Sequence, residues 1–392
     1  PAGRLRVQVG GGNVAARWRR ETGSNSSAQL RVYYDSTHRD DPSFVDRLDT
    51  VDVDFQHRRP LDTVHDVVWG LNYRLTANRN EGRGLFALDP SLSRDHLVSG
   101  FVQDQVRLSD ALRLTIGTKL EHNDFSGWEV QPSGRASVVL GPGHTLWGAL
   151  SRAVRVPTRL ERDISIDVTD PQRDPVGRLL GRRSFGSERL LAYEAGYRWQ
   201  TLQALSVDTA AFHNRYDGLA SLELGDPFFD ARINRTVLPL QNHNLTEGEA
   251  RGIETLLTYS PLPAVRFSGT YAYLDLTLRP LGADLNRGLF LDGATPRHQA
   301  GVRASLDLPH RIRFDAQLRH LSAIRRLPPV VSGEGLPGYR ELDVRFAWDV
   351  WGQLELSIVG QNLLHARHAE FGRPQLRGDI ERGVYGKAAW GF

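Results

Sequence analysis

The sequence predicts an all-β chain, a transmembrane antiparallel up-and-down β-barrel wall of about 17 strands, or 18 if Arg4–Val9 forms one. Three observations carry the prediction. Apolar residues recur with a period of two, connections alternate between short and long, and the chain ends on an alternating aromatic strand.

Taken along the chain, strands are expected to begin near Asn13, Ser27, Ser43, Asp62, Ser93, Ala111, Glu129 and Thr145. Others follow near Ser187, Ala204, Asn244, Ala264, Thr295, Arg311, Pro337, Gln353 and Arg382. The alternation is clearest in five of them. Ala111–Glu121 sets Leu112, Leu114, Ile116 and Leu120 against Arg113, Thr115, Lys119 and Glu121. Leu191–Gln200 sets Tyr193, Ala195, Tyr197 and Trp199 against Glu194, Arg198 and Gln200. In Arg311–Arg319, Ile312, Phe314, Ala316 and Leu318 oppose Arg311, Arg313, Asp315, Gln317 and Arg319. In Arg340–Val350, Leu342, Val344, Phe346, Trp348 and Val350 oppose Glu341, Asp343, Arg345 and Asp349. The last strand closes on Trp390 and Phe392, a terminal aromatic signature suited to an interfacial girdle and to barrel assembly. A slip of one residue in Arg311–Arg319 would turn its arginines toward lipid, each at about 2–4 kcal/mol at the midplane, so the register should be firmly fixed.

Connections read back from Phe392 run long (His368–Glu381), short (Trp351–Gln353), long (Ile324–Leu336), short (Leu308–Arg311) and long (Arg279–Ala294). The beat continues through Ser260–Ala264, Leu224–His243 and Thr201–Ala204 to the very long Thr158–Gly186. In an up-and-down barrel every second link lies on one rim, and short periplasmic turns with long extracellular loops give this beat. With Phe392 at the periplasmic rim, the long links lie outside. Strand alternation alone would also fit a soluble β-propeller, which gives no reason for the two-beat rule.

Composition narrows the classes. No stretch approaches the ~20 apolar residues of a membrane-spanning helix, so entry into a membrane requires a closed barrel. Cys is 0, which excludes disulfides and thiolate metal sites. A net charge of +3 with 46 acidic residues gives no broad basic face for nucleic acid. Met is 0 and the chain opens at Pro1, so part of a longer product is expected. Neither G-x-S-x-G nor H-E-x-x-H nor a phosphate loop occurs, and no enzyme activity or cofactor is expected.

Several segments then resemble one family, the TonB-dependent outer-membrane receptors. Phe101-Val102-Gln103-Asp104 is similar to an F-x-Q-D barrel strand, and Thr115 through His122-Asn123-Asp124-Phe125 to Gln131-Pro132 resembles the hairpin after it. Ser151-Arg152-Ala153-Val154-Arg155-Val156-Pro157-Thr158 resembles the S-R-A-x-R-x-P segment. Ser187-Glu188 with Tyr193-Glu194-Ala195-Gly196-Tyr197 is similar to the S-E…Y-E-x-G region. Gly252-Ile253-Glu254 matches G-x-E, and Gln361-Asn362-Leu363-Leu364 resembles the penultimate strand. The order and spacing of these segments over residues 95–392 carry the resemblance.

What the resemblance implies is a single domain over residues 1–392, the C-terminal part of a barrel of about 22 strands, with plug, TonB box and first strands absent. It implies energy-coupled uptake at the bacterial outer membrane of a scarce nutrient, a ferric siderophore or similar metal chelate. The alternatives are a passive porin-like channel and a soluble β-propeller binding module. Implied partners are outer-membrane lipid and lipopolysaccharide, the TonB–ExbB–ExbD system through the plug, the barrel assembly machinery and the chelate. An anionic chelate favours Arg and aromatic residues on long loops, because the guanidinium offers planar, multi-donor contacts. The candidates are Arg178, Arg182, Arg183, Phe228, Phe229, Arg232, Arg287, Phe290, Arg325 and Arg326. His365, His368 and Glu370 are read as surface and not as a metal site, since strand positions three apart point to opposite faces.

Overall fold

The computed structural model describes residues 7–23, 26–83, 86–169, 174–201, 204–285, 294–325, 335–370 and 378–391. Phe392, Arg287, Phe290 and Arg326 lie outside the described residues.

The chain forms β1 (Gln8–Thr22), β2 (Ser26–Asp41), β3 (Phe44–Pro60), β4 (His65–Gly82), β5 (Phe86–Leu88) and β6 (Leu92–Arg107). Next come β7 (Leu112–Asn123), β8 (Gly127–Gly141), β9 (His144–Arg155), α1 (Arg159–Asp163), β10 (Ile164–Asp167), β11 (Val176–Leu180) and β12 (Glu188–Thr201). The remainder is β13 (Leu205–Leu224), β14 (Phe228–Asp230), β15 (Arg235–Leu262), β16 (Val265–Pro280), β17 (His298–Leu308) and β18 (Ile312–Leu321). It closes with β19 (Tyr339–Asp349), β20 (Leu354–Gln361), β21 (Arg367–His368), β22 (Ile380–Glu381) and β23 (Gly383–Trp390).

Seventeen of these strands pair antiparallel with their neighbours in sequence order, from β1–β2 through β4–β6, β9–β12 and β13–β15 to β20–β23. Each begins close to an expected start, although β15 begins at Arg235, well before Asn244, because its upper part extends beyond the wall. One continuous antiparallel ladder excludes the propeller, whose blades would be separate sheets. The links at one rim run two to four residues. The other rim carries every long link, up to residues 156–187, together with the two short links 42–43 and 124–126. Among the described residues the outer edges of β1 and β23 have no strand partner.

Polarity is inverted relative to a soluble protein. On the concave face Asp52, Asn80 and Glu121 are 3%, 2% and 5% exposed, while on the convex face Leu71, Ile116 and Val302 are 57%, 54% and 55% exposed. A face of this kind suits lipid, and the concave face holds its charges in cross-strand pairs. Arg74 Nε lies 2.9 Å from Asp52, which Arg31 also approaches at 3.9 Å. Lys119 Nζ is 2.6 Å from Glu121. Asp315 receives Arg303 at 3.2 Å and Arg345 at 3.3 Å, and Glu355 receives both Arg313 and Arg345. These inward residues of β18 alternate with Phe314 and Leu318, as the sequence requires.

Two glycines from the resemblance segments have a packing reason. Trp147 on β9 lies over Gly196 on β12, where an added Cβ would come within 2.5 Å of the indole. Phe212 on β13 covers Gly252 on β15, where the distance would be 2.4 Å. Large rings thus lie flat on the inner wall over bare backbone.

The register generates a direct test. Val302→Arg, on the convex face opposite Leu318, should cost about 2–4 kcal/mol in urea titrations of the barrel refolded in lipid vesicles. Gln317→Arg, on the concave face beside Arg303, should stay within about 1 kcal/mol of wild type. Equal costs for the two would contradict the assignment of faces.

Candidate functional site

The long-link rim is a built structure. Its anchor is the start of the 156–187 link, where Thr158 caps α1 in a capping box. The Thr158 N–H donates to Glu161 Oε2 at 2.7 Å, and the Glu161 N–H donates to Thr158 Oγ1 at 3.4 Å. Arg155, the last residue of β9, joins both ends of the link. Its guanidinium donates to Glu161 at 2.7 Å and to Glu188, the first residue of β12, at 2.7 Å. Burial raises the Glu161 carboxyl, but Arg155 and the Thr158 N–H outweigh it and hold it below the ordinary range. Arg159 reaches across to Asn78 and the Pro90 carbonyl, tying α1 to the top of β4 and the link after it.

Beyond α1 the link folds into a small sheet. β10 pairs antiparallel with β5 on one side and with β11 on the other, and β11 pairs parallel with the upper part of β15. Three short strands therefore connect the β4–β6 corner of the rim to β15, two wall positions separated by β7, β8, β9, β12 and β13. Val176 and Val237 face each other in this ladder and are fully buried, as is Phe185. Asn244, on β15, joins the end of this link to the upper part of β13. It accepts from the Gly186 N–H at 2.8 Å and donates to the Gly186 and Gly218 carbonyls at 3.1 and 2.7 Å.

The candidate arginines fall into two groups. Arg178 is buried on β11 between Asp167 and Asp230, donating to Asp230 Oδ2 at 2.8 Å. Arg182 contacts the His243 imidazole. Both are committed to holding the small sheet together. Arg183 and Arg325 are exposed, and Phe228 and Phe229 are exposed on β14. Arg232 is 85% exposed while its guanidinium touches Asp230, so Asp230 carries one buried and one open arginine. The structure therefore groups Arg178, Phe228, Phe229 and Arg232 around one carboxylate, whereas Arg325 lies apart near the Ile324–Leu336 bridge. Contacts of Arg232, then Arg178, against burial, pull the Asp230 carboxyl down to about 2.

Arg183 lines a cavity of about 440 Å³ with Phe125, Ser126 and Asn244. Beside it Arg162 lies over the Phe125 ring at 4.8 Å, a cation–π contact. The sequence reading missed Arg155, Arg162 and Asn244. The Thr158-x-x-Glu161 capping box was the signal for the first, and the other two carry none.

At the opposite part of the rim, His368 and Glu370 join Glu341, their ligand atoms within 4.8 Å. Arg319 occupies the cationic role there, contacting Glu341 and lying 3.0 Å from Glu370. The Tyr339 hydroxyl donates to Glu370 at 2.7 Å, and His368 stacks on the Tyr339 ring at 4.2 Å. Burial raises the Glu370 carboxyl, but Tyr339, His368 and Arg319 bring it below the ordinary range. With that guanidinium in place the cluster ties the 362–382 link to the upper ends of β18 and β19.

A family model described as TonB dependent receptor-like, beta-barrel, matches residues 4–363. The iron-regulated outer membrane virulence protein of Vibrio cholerae is 26% identical over 187 residues, 46% of this chain and 28% of that protein. Among solved structures, a variant of the ferric enterobactin receptor PfeA of Pseudomonas aeruginosa superposes with a TM-score of 0.77 at 15% identity. That match covers 98% of this chain and 62% of PfeA. The siderophore receptor PirA of Acinetobacter baumannii gives 0.73 at 14%, covering 97% and 62%. The ferric-catecholate import receptor Fiu of E. coli K12 gives 0.73 at 13%, covering 100% and 65%. The chain thus spans less than two thirds of the length of each.

The Arg178 clamp predicts two results. Arg178→Ala takes the guanidinium from Asp167 and leaves Asp230 with Arg232 alone, a loss of about 3 kcal/mol, so proteolysis within 156–187 should accelerate by roughly a hundredfold. The folded Asp230 value lies below its ordinary 3.8, so the clamp's contribution is complete above that pH and lost only as pH falls toward about 2. Wild-type cleavage rates with an acid-tolerant protease should match at pH 6 and pH 4.5. A rise between them would contradict the clamp.

Proposed function

The chain belongs to the TonB-dependent receptor-like β-barrel family, an outer-membrane family of receptors and transporters, and from that membership we propose that it is part of the uptake receptor for a ferric siderophore or similar anionic metal chelate. The observation that carries the reading is the rim. Every long link gathers at one end of a wall that is apolar outside and charged inside, and one of them is braced into a sheet by buried ion pairs. An extracellular mouth of this kind can present arginines and aromatic rings to a ligand without collapsing. The receptors of similar fold are named for ferric enterobactin and ferric catecholates, which supports the same chemical class.

In this reading Arg183, Phe228, Phe229, Arg232 and Arg325 make the first contacts, through charge and ring stacking. Arg178 and Arg182 keep the loop sheet in place. Arg287, Phe290 and Arg326, outside the described residues, stay candidates for capture on the sequence alone. The chain acts as a transporter wall, with no catalytic step and no resident cofactor.

The wall edges bear on domain organisation. Lipid cannot satisfy an unpaired strand edge, so the outer edges of β1 and β23 need partners. We take residues 1–392 as the C-terminal barrel portion of a larger receptor. Its first strands, plug and TonB box complete the cylinder and couple it to TonB–ExbB–ExbD. Insertion then proceeds through the barrel assembly machinery, with the terminal strand and Trp390 as its signature.

Growth on defined ferric chelates in a strain lacking its own receptors tests the function, using the full-length gene. Uptake of a ferric catecholate that requires TonB is the expected result, and Phe229→Ala with Arg232→Ala should weaken capture at least tenfold. Growth independent of TonB, with ion conductance in planar bilayers, would instead establish the passive channel.

A further inference from the structure

At the β19 end of the rim, the tie between Arg319 and its carboxylates leaves one charge and one nitrogen unmatched. Glu341 on β19, His368 on β21 and Glu370 just after it meet with one donor atom of each within 4.8 Å of the others. Glu341 is 9% exposed and the His368 side chain 7%. Two carboxylates carry two negative charges, and Arg319 supplies one positive charge against them. Burial makes the remaining charge costly. His368 is only half satisfied. Its Nε2 lies 3.2 Å from Glu370 Oε1, while Nδ1 has no hydrogen-bond partner among the described residues.

This donor set has the geometry of a metal site. A tetrahedral ion with bonds of about 2.0–2.2 Å holds neighbouring donor atoms roughly 3.4 Å apart. The pair formed by His368 Nε2 and Glu370 Oε1 already stands close to that spacing. One imidazole with two carboxylates suits Zn²⁺ or a similar first-row ion better than Mg²⁺ or Ca²⁺, which take more oxygen donors. Both donors are held in orientation from outside, as metal ligands usually are. The Tyr339 hydroxyl donates to Glu370 at 2.7 Å, and the Tyr339 ring stacks on His368 at 4.2 Å. The fourth position is open to water or to His365, whose ring centroid lies 6.0 Å from that of His368. Spacing along the chain gave the His365–Glu370 segment no common face, and the donor it lacked is Glu341, which only the fold brings in.

We propose that Glu341, His368 and Glu370 form a reversible site for a free divalent transition ion, Zn²⁺ by donor type, and that the ion and Arg319 compete for the same two carboxylates. The ion neutralises both charges where the guanidinium neutralises one. Arg319 is free to give way, because its side chain is 43% exposed and its guanidinium already lies over the Tyr339 ring at 5.7 Å. Either occupant ties the 362–382 link to the wall. The ion does so through three ligands at once, so the last long link becomes firmer when it binds. The site is separate from the capture surface at Phe229 and Arg232 and does not depend on chelate uptake.

Calorimetric titration of the untagged full-length protein with zinc, after its metal is stripped by a chelator, tests this. Zn²⁺ should fill a micromolar site from which Mg²⁺ does not displace it. His368→Ala and Glu341→Gln should each weaken that site roughly tenfold or more. Arg319→Met should tighten it by a similar factor, since the competitor is gone, and added zinc should slow proteolysis within 362–382 in that variant. A heat-modifiable gel shift confirms that each variant is folded, and His368→Gln replaces His368→Ala if the latter is not. Absence of saturable zinc binding, or binding unchanged by the His368 and Glu341 substitutions, would overturn the site. Equal or weaker affinity in Arg319→Met would overturn the competition and leave the cluster as an ion-paired tie.

Discussion

A backbone crossing hydrocarbon must satisfy every N–H and C=O within the protein, and that constraint organises the rest of this molecule. It forces the strands into one antiparallel ladder and leaves side-chain period two as the only freedom. Within the wall most charges then go to the concave face and most large aliphatic groups to the convex one. Asp52 and Val302 illustrate the outcome, the first nearly buried and the second more than half exposed. Charges that share an enclosed inner wall must be paired to be tolerated, hence the runs Arg31–Asp52–Arg74 and Arg303–Asp315–Arg345–Glu355. Fixed register and paired charge are two views of the same requirement.

Above the wall the constraint relaxes, and the chain uses ordinary soluble-protein devices. α1 has a capping box, Val176, Phe185 and Val237 are fully buried, and Arg178 joins two carboxylates from different links. These features give the rim a rigid platform on which Phe229 and Arg232 stay exposed. A ligand meeting a braced loop loses less in ordering it than one meeting a free loop. On the convex side the same height carries a belt of rings, Tyr193 with His213 and Tyr273 with His298, and then paired charges such as Arg189–Asp217 and Arg251–Glu249.

The wall was legible in the sequence because lipid enforces a local rule. Each of seventeen starts could be read from alternation over a handful of residues, as in Arg311–Arg319, and the link lengths assigned the rims. The rim itself was not legible. β11 pairs parallel with β15 some sixty residues away, and β5 pairs with β10 across nearly eighty. Such pairings leave no periodic trace. For that reason Arg178 and Arg182 looked like open loop arginines, yet the structure commits both to internal contacts, while Arg183 and Arg232 remain open. Asn244 reads as a strand start and proves to join the end of the 156–187 link to β13. His368 and Glu370, two residues apart, meet Glu341 only because β19 lies alongside the 362–382 link.

The central claim is that alternate residues of each long strand face lipid and the interior. These 392 residues hold no cysteine, so a scan can introduce one at a time along β17 and β18 in the full-length receptor in native membranes, with any cysteine elsewhere replaced first. Labels at 302, 304, 316 and 318 should respond to a quencher dissolved in lipid and not to an aqueous one, with the reverse at 303, 315 and 317. A response without period two, or one of opposite phase, would contradict the account.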